Sequence, residues 1–464
     1  MMRRQRTTAL RLRTVTALAL TGLAATAASV VPAHADVAVA CSTADLITAI
    51  NAANAGGDSV LNLDPYCVYE VTTAASADDG LPPITLAAGI TINGNNATVK
   101  RTGSTNYRLF DVSGGGAKLT LNDLTVMNGN PSSAIGGGGV LVQNGGTLIG
   151  DNLSVQGSTG NIGGGIRGRT GSTVTLTNSS LKDNRTAGGA SIGGGLAAEG
   201  TTSLTGTDFT GNRARVGAAL YHPVGNLTVT GGSARFNTSA DEGGGLYIEG
   251  GTTTVDGMAI ADNRSATGGQ NQAGGGGLYV VGGTTTIRNS TISGNKVTGS
   301  GTDLDGGGGV LLSRGTLNLE NSQVTGNQVI GEGALGGGVG VLGGTLNVTD
   351  GSSVSRNLVS GRYSTGGGIH SRALVGTPTI TVTDSSVDMN TATGTGSFAA
   401  GVYNSQGAYT LTNATVSNNA APQSTGAGGI WTDVPITAVA TSTFTGNAPT
   451  NCLRSPQPVT GCLG

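Results

Sequence analysis

The sequence predicts an all-β fold, a single-stranded parallel β-helix, and three observations carry that prediction. A glycine-rich run leads into an aliphatic residue at Val140, Ile166, Leu196, Leu220, Leu246, Leu278, Val310, Val339, Ile369, Val402 and Ile430, the copies at Leu220 and Val402 being weaker. Their mean interval is 29 residues, inside the range that marks a solenoid. A second phrase ends each repeat in asparagine: Asn184, Asn212, Asn237, Asn263, Asn295, Asn327, Asn357, Asn390, Asn419 and Asn447. Thirdly, the residue six before that asparagine is Gly, Asn or Asp in Asn178, Gly206, Gly231, Gly257, Asn289, Asn321, Asp384 and Asn413, the types that tolerate a left-handed turn.

Between these anchors the apolar residues alternate with period two. Three before the asparagine come Leu181, Phe209, Ala234, Ile260, Ile292, Val324, Val354, Val387, Val416 and Phe444. Eight before it come Leu176, Leu204, Val229, Val255, Ile287, Leu319, Val382, Leu411 and Val439, with Val348 joining after a one-residue insertion. Each coil is therefore expected to hold three short strands: one after the glycines, one of Thr-x-Thr type and one ending at the asparagine. Roughly 12–13 such coils, spaced ~4.8 Å apart, make a rod on the order of 60 Å long. Stacked asparagines are expected to pass amide hydrogen bonds from coil to coil. The glycine runs are corners rather than phosphate loops, because a phosphate loop leads into a helix and these lead into strands.

Taken in order, residues 1–35 read as a signal peptide: Arg3, Arg4, Arg6, Arg11 and Arg13, then an apolar stretch, then Ala33-His34-Ala35. Residues 36–83 form an N-terminal cap, with an amphipathic helix from Ser42 or Thr43 to Asn54 that puts Leu46, Ile47, Ile50 and Ala53 on one face. Short strands are expected at 84–86, 90–92 and 97–99, broken by Gly89 and Asn93-Gly94-Asn95-Asn96. The β-helix runs over 84–447, and 448–464 is a C-terminal cap. The segments between each asparagine and the next glycines vary in length and read as insertions along one edge.

Export makes disulfides possible, and four cysteines allow three connectivities. Cys41–Cys67 and Cys452–Cys462 are expected, since the ends of a rod cannot meet. Without its leader the chain has 429 residues and 19 Lys+Arg against 26 Asp+Glu, near −7. That balance disfavours nucleic acid and anionic membrane as partners. No second apolar segment has spanning length, so a secreted, extracellular monomer without membrane insertion is expected.

The phrases Phe209-Thr210-Gly211-Asn212 and Phe444-Thr445-Gly446-Asn447, with the glycine–aliphatic runs, resemble the repeats of polymorphic outer-membrane proteins. More broadly, residues 41–462 resemble secreted right-handed parallel β-helix proteins of the pectin-lyase-like superfamily, and Leu46 to Ala55 resembles their capping helix. The resemblance implies the fold and its right hand. It leaves function open, because that superfamily includes lyases, hydrolases, esterases and adhesins.

Candidate residues come from columns. The position after each aliphatic anchor reads Leu141, Arg167, Ala197, Tyr221, Tyr247, Tyr279, Leu311, Gly340, His370, Tyr403 and Trp431. Tyr221, Tyr247, Tyr279, His370, Tyr403 and Trp431 are expected to form an exposed strip on which sugar rings stack; simple strand preference accounts for the same residues. This makes non-catalytic binding of an extracellular polysaccharide or surface glycan the leading function. A polysaccharide lyase or glycoside hydrolase is the alternative. For it, Asp256, Arg288 and Glu320 would be the acid–base set, His370 with Arg372 a second pair, and Ca²⁺ the one cofactor, with Asp303 and Asp305 as partial ligands. A surface salt-bridge ladder explains the first set equally well. An outward threonine array (Thr173, Thr175, Thr201, Thr228, Thr252, Thr254, Thr284, Thr286 and onward) keeps an ice-binding or purely structural protein as a further alternative.

Overall fold

A computed structural model describes residues 36–57, 59–266, 274–299, 306–438 and 441–464. The expected leader, Val439, Asp303 and Asp305 lie outside them. The described chain is a parallel β-solenoid of about 13 turns, with one helix at its N-terminal end. Each aliphatic residue after a glycine run pairs with its counterpart one coil on, from Val140↔Ile166 through to Val402↔Ile430 without a slip. These strands form the first sheet, of twelve strands.

Three sheets build the solenoid, the third of them nine strands between Thr159 and Thr393, but the segments that build them divide differently from the expectation. The Thr-x-Thr strand and the strand approaching the asparagine belong to one continuous second sheet. The residue between them only bends it: Asn178, Gly206, Gly231, Gly257, Asn289, Asn321, Asp384 and Asn413 all have φ between 45 and 69°. The third sheet comes from the segments read as insertions, including Arg185–Thr186, Arg213–Val216, Thr238–Glu242, Arg264–Ala266 and Lys296–Thr298. Its inward positions are small or polar in the early coils (Ala214, Ser239, Ser265) and become Val297, Val329 and Val359 later. A short strand with a serine facing inward carries little hydrophobic periodicity, which is why the pattern hid it.

The inward columns of the first two sheets bury together in one continuous core. The one-residue insertion before Asn357 holds, since Leu319 pairs with Val348 and Val348 with Val382. At the corner between the second and third sheets the asparagines are all buried and bonded in series. In each link the side-chain amide of one donates to Oδ1 of the next, at 2.8–3.2 Å from Asn184 to Asn447. The same Nδ2 also donates to a carbonyl one coil back, as Asn295 does to Ile260 at 2.9 Å. The amide thus satisfies backbone groups that the turn into the third sheet would strand.

The glycine runs answer to this ladder. In the run Gly275-Gly276-Gly277, the first has φ +60°. A Cβ on the second would lie 2.5 Å from the Gly308 carbonyl oxygen and 2.9 Å from the Lys296 nitrogen. On the third it would lie 2.8 Å from Nδ2 of Asn295. One glycine makes the turn, and the other two let backbone pass close to backbone and to the ladder.

Both ends are closed. Ser42 caps the helix Thr43–Asn54, which buries Leu46, Ile50 and Ala53 and leaves Ile47 partly covered. Asn54 ties its end to the Pro83 carbonyl at 2.8 Å, and the strands Val60–Leu63 and Val68–Val71 pair onto Ile90–Arg101. That strand is continuous where two were expected, with Asn95 and Asn96 bending it at φ 50 and 64°. Ile84 makes only an isolated bridge to Val112. Both expected disulfides form, with Cα separations of 5.6 Å for Cys41–Cys67 and 6.2 Å for Cys452–Cys462. At the C-terminal end Asn447 passes its amide bond to Asn451 at 2.8 Å.

Candidate functional site

The aromatic column is one unbroken register row on the outer face of the first sheet, but only its last third meets solvent. Tyr221, Tyr247 and Tyr279 are 9, 8 and 8 % exposed, a correction to the expected open strip. Rings at coil spacing cover one another: Tyr221 stacks on Tyr247 at 5.6 Å, and Tyr279 meets Tyr247 edge-on at 5.1 Å. Val216, Leu311 and Leu342 close around them, so the row is a small outer core. Burial raises both phenols far above their ordinary range, with the negative charge of Glu249 near Tyr221 and of Glu242 near Tyr247 adding to the rise. They stay protonated donors.

Glu242 is the unexpected member of this group, hidden from the sequence reading because it lies in a segment taken for an insertion. Burial pushes its carboxyl up to about 7; Asp241 adds to the rise, while Tyr247 and Arg215 oppose it. The unfolded carboxyl titrates near 4.5, so between these values the native state holds more protons. The contribution of Glu242 therefore falls as pH rises through that window. Allowing for partial exposure, Glu242→Gln is expected to gain about 1–2 kcal/mol over wild type near pH 8 and nothing near pH 4. Urea midpoints of both proteins across the pH range check this; a constant difference would remove the titration as its cause.

Toward the C-terminal end the row changes character. His370 is buried and stacks on Tyr403 at 4.9 Å; Phe398 meets Tyr403 at 5.5 Å and Trp431 at 4.8 Å. Tyr403, Trp431 and Phe398 are each partly open. The exposed carboxylate of Asp433 accepts from the Tyr403 hydroxyl at 3.1 Å and from Trp431 Nε1 at 3.3 Å, so one side chain sets both rings. Asp433 was legible as the outward neighbour two residues after Trp431; Phe398 gave no column signal. Arg372 is exposed beside them, and its charge bears on His370 and Tyr403.

The catalytic candidates fall in two separate groups, His370 with Arg372 at the first sheet and Asp256, Arg288 and Glu320 on the second. Burial first, then Arg372, lowers His370 to about 3, and its Nδ1 faces the Thr365 hydroxyl at 3.0 Å. It remains neutral at physiological pH and serves as the floor beneath Tyr403. Asp256, Arg288 and Glu320 do stack in register. Arg288 donates to Asp256 at 3.0 Å and Asn289 at 2.8 Å, and these bonds, Asn289's foremost, hold Asp256 below its usual range. An exposed pair of that kind is a surface ladder. Elsewhere, Asp111 is almost enclosed next to the Arg108–Asp79 ion pair (2.5 Å), and burial raises it to about 6. The threonines line the outer face of the second sheet, Thr173 against Thr201 and Thr252 against Thr284. Among the described residues no three His, Cys, Asp or Glu side chains gather to hold a metal ion, and no helix is long and apolar enough to cross a membrane.

These features define a parallel β-solenoid with a partly open aromatic face near one end. Set against family models, curated proteins and solved structures, the chain matches none of them.

Proposed function

We propose that this chain is an exported β-helix of the pectin-lyase-like kind that binds an extracellular polysaccharide or surface glycan without cleaving it. The face formed by Phe398, Tyr403 and Trp431 is its contact surface. The observation that carries this reading is the shared carboxylate: Asp433 fixes two partly open rings at once. Fixed aromatic faces suit the C–H surface of a sugar ring, and the carboxylate and Arg372 flank them with groups that bond hydroxyls. The enclosed tyrosines at 221, 247 and 279 then brace the first sheet rather than touch ligand. Two disulfides and a leader-like N-terminus suit a protein working outside the cell, as a single capped rod.

Trp431→Ala with Tyr403→Ala is expected to weaken binding on a glycan array at least tenfold, about 1.4 kcal/mol, with the melting temperature nearly unchanged. Unchanged binding, or a wild type that retains no glycan, would refute the assignment. Release of unsaturated uronates from a polyuronide with Ca²⁺ would replace it with a lyase.

A further inference from the structure

We propose that the outer face of the second sheet binds ice, with crystalline water itself as the ligand. This face is on a different sheet from the Tyr403–Trp431 group and stands independently of it. Nine successive strands of five residues build it, from Thr173–Thr177 to Ala408–Thr412. They pair in register from coil to coil without a bulge. The extra residue of the coil ending at Asn357 falls beyond its strand, where Asp350 and Gly351 both turn left-handed, at φ 58 and 76°. Length variation is thus kept off the face, and its repeat is unbroken.

The first and third residues of these strands point outward, eighteen positions of which thirteen are threonine; the others are Ser203, Asn226, Asn318, Asn347 and Ala408. None of them is charged, aromatic or a large aliphatic. Charge is not scarce nearby: Lys182 and Arg235 follow the bend, Arg213 and Arg264 stand on the third sheet, and Asp256, Arg288 and Glu320 mark the strand's rim. A face so cleared offers no counter-charge to a polyelectrolyte and no ring to a sugar. What it does offer is hydroxyls and methyl groups at fixed intervals. Threonine is stiff about χ1 in a strand, so each side chain repeats its neighbour's geometry at small entropic cost. Among the described residues only Thr286 of these threonines takes a side-chain hydrogen bond, accepting from Asn318 at 3.1 Å. The other hydroxyls keep their donor and acceptors for water.

The spacing of these groups selects the occupant. Coils repeat at ~4.8 Å along the axis, and alternate residues of a strand at ~6.7 Å across it. Oxygen atoms on a prism face of hexagonal ice repeat at closely similar lengths in two perpendicular directions. A water held by one hydroxyl, and penned by the methyl groups around it, therefore lies near a lattice position of ice, and so does the water on the next coil. One such contact is weak. Ice repeats without end, so contacts along all nine coils engage together, as linked sites do in multivalent binding. A second copy of this chain is the rival occupant. It would set hydroxyl against hydroxyl, exchanging bonds to water for bonds of equal kind with little net gain.

Partitioning into slowly growing ice, with inhibition of ice recrystallisation beside it, tests the face. Wild type is expected to enter the ice and to halt coarsening of fine-grained ice, while an unrelated soluble protein of similar size is excluded. Thr228→Lys with Thr284→Lys sets two unpaired charges on the face, two coils apart. That pair should need a roughly tenfold higher concentration to stop recrystallisation, with the melting temperature nearly unchanged. Trp431→Ala with Tyr403→Ala should enter ice as wild type does, so failure of this proposal and failure of the glycan assignment are told apart. The proposal is overturned if wild type is excluded from ice or if the lysine pair is taken up as fully as wild type. It is also overturned if sedimentation shows a wild-type dimer that the lysine pair abolishes, which would give the face to a second copy.

Discussion

Asn295→Ala is expected to lower the unfolding free energy by about 3–5 kcal/mol, far more than loss of an ordinary hydrogen bond. Oδ1 of Asn295 accepts from both the backbone nitrogen and Nδ2 of Asn263, at 2.9 and 3.0 Å. Its own Nδ2 donates to the Ile260 carbonyl and to Oδ1 of Asn327, at 2.9 and 3.0 Å. Alanine removes one amide but leaves four groups short of a bond, at a corner closed to water; each buried group so stranded costs roughly 1–3 kcal/mol. The neighbours cannot turn elsewhere, because each is already committed to the next coil. Asn295→Asp separates the parts: it keeps the acceptor and loses both donors, and buries a charge against Oδ1 of Asn327, so it should be at least as harmful at neutral pH and milder in acid. Chemical denaturation measures the total, and amide exchange at Asn263 shows whether the opening is local. A loss under about 1 kcal/mol would mean that the ladder follows the fold without holding it.

The ladder was legible in the sequence because a single residue type recurs at a fixed place, and the aliphatic columns were legible for the same reason. Their register, down to the insertion before Asn357, follows from spacing alone. The third sheet was not legible, and the cause is physical: strands of two to five residues with Ala214, Ser239 or Ser265 facing inward carry almost no hydrophobic contrast. The left-handed residue before each ladder asparagine went unread for a related reason. Asp183, Gly211 and Asn418 advertise it, but Phe236, Arg356 and Met389 hold the same conformation against their preference. Exposure was misjudged in the aromatic row because alternation gives the face on which a side chain emerges, not what its neighbours do there. Tyr221, Tyr247 and Tyr279 do point away from the main core, and they cover each other. Where Leu311 and Gly340 interrupt the aromatics, that mutual cover ends, and the rings beyond it stay partly open.

Gly276→Val is expected to destabilise the solenoid by more than about 3 kcal/mol and to do so from the middle outward. The added Cβ alone would sit 2.5 Å from the Gly308 carbonyl oxygen and 2.9 Å from the Lys296 nitrogen, both of them backbone atoms. No rotamer change relieves a clash with backbone, so the coil must shift, and a shift there moves Gly277 off Asn295 and loosens the ladder at the same level. Gly276→Ala tests how far the packing gives. Elsewhere in the chain Ala218 and Ala219 occupy the second and third places of a run, and Ala400 the second, so a methyl is tolerated where the neighbouring coils have settled around it. At position 276 the flanking coils carry Gly244 and Gly308, whose own tight contacts leave less room; Gly244 would place a Cβ 2.6 Å from the Arg264 carbonyl carbon. Alanine should therefore cost about 1–3 kcal/mol and valine clearly more. Equal, small effects from both would mean that the glycines are kept for their turn alone, through Gly275, and that the close passage of coil over coil is incidental.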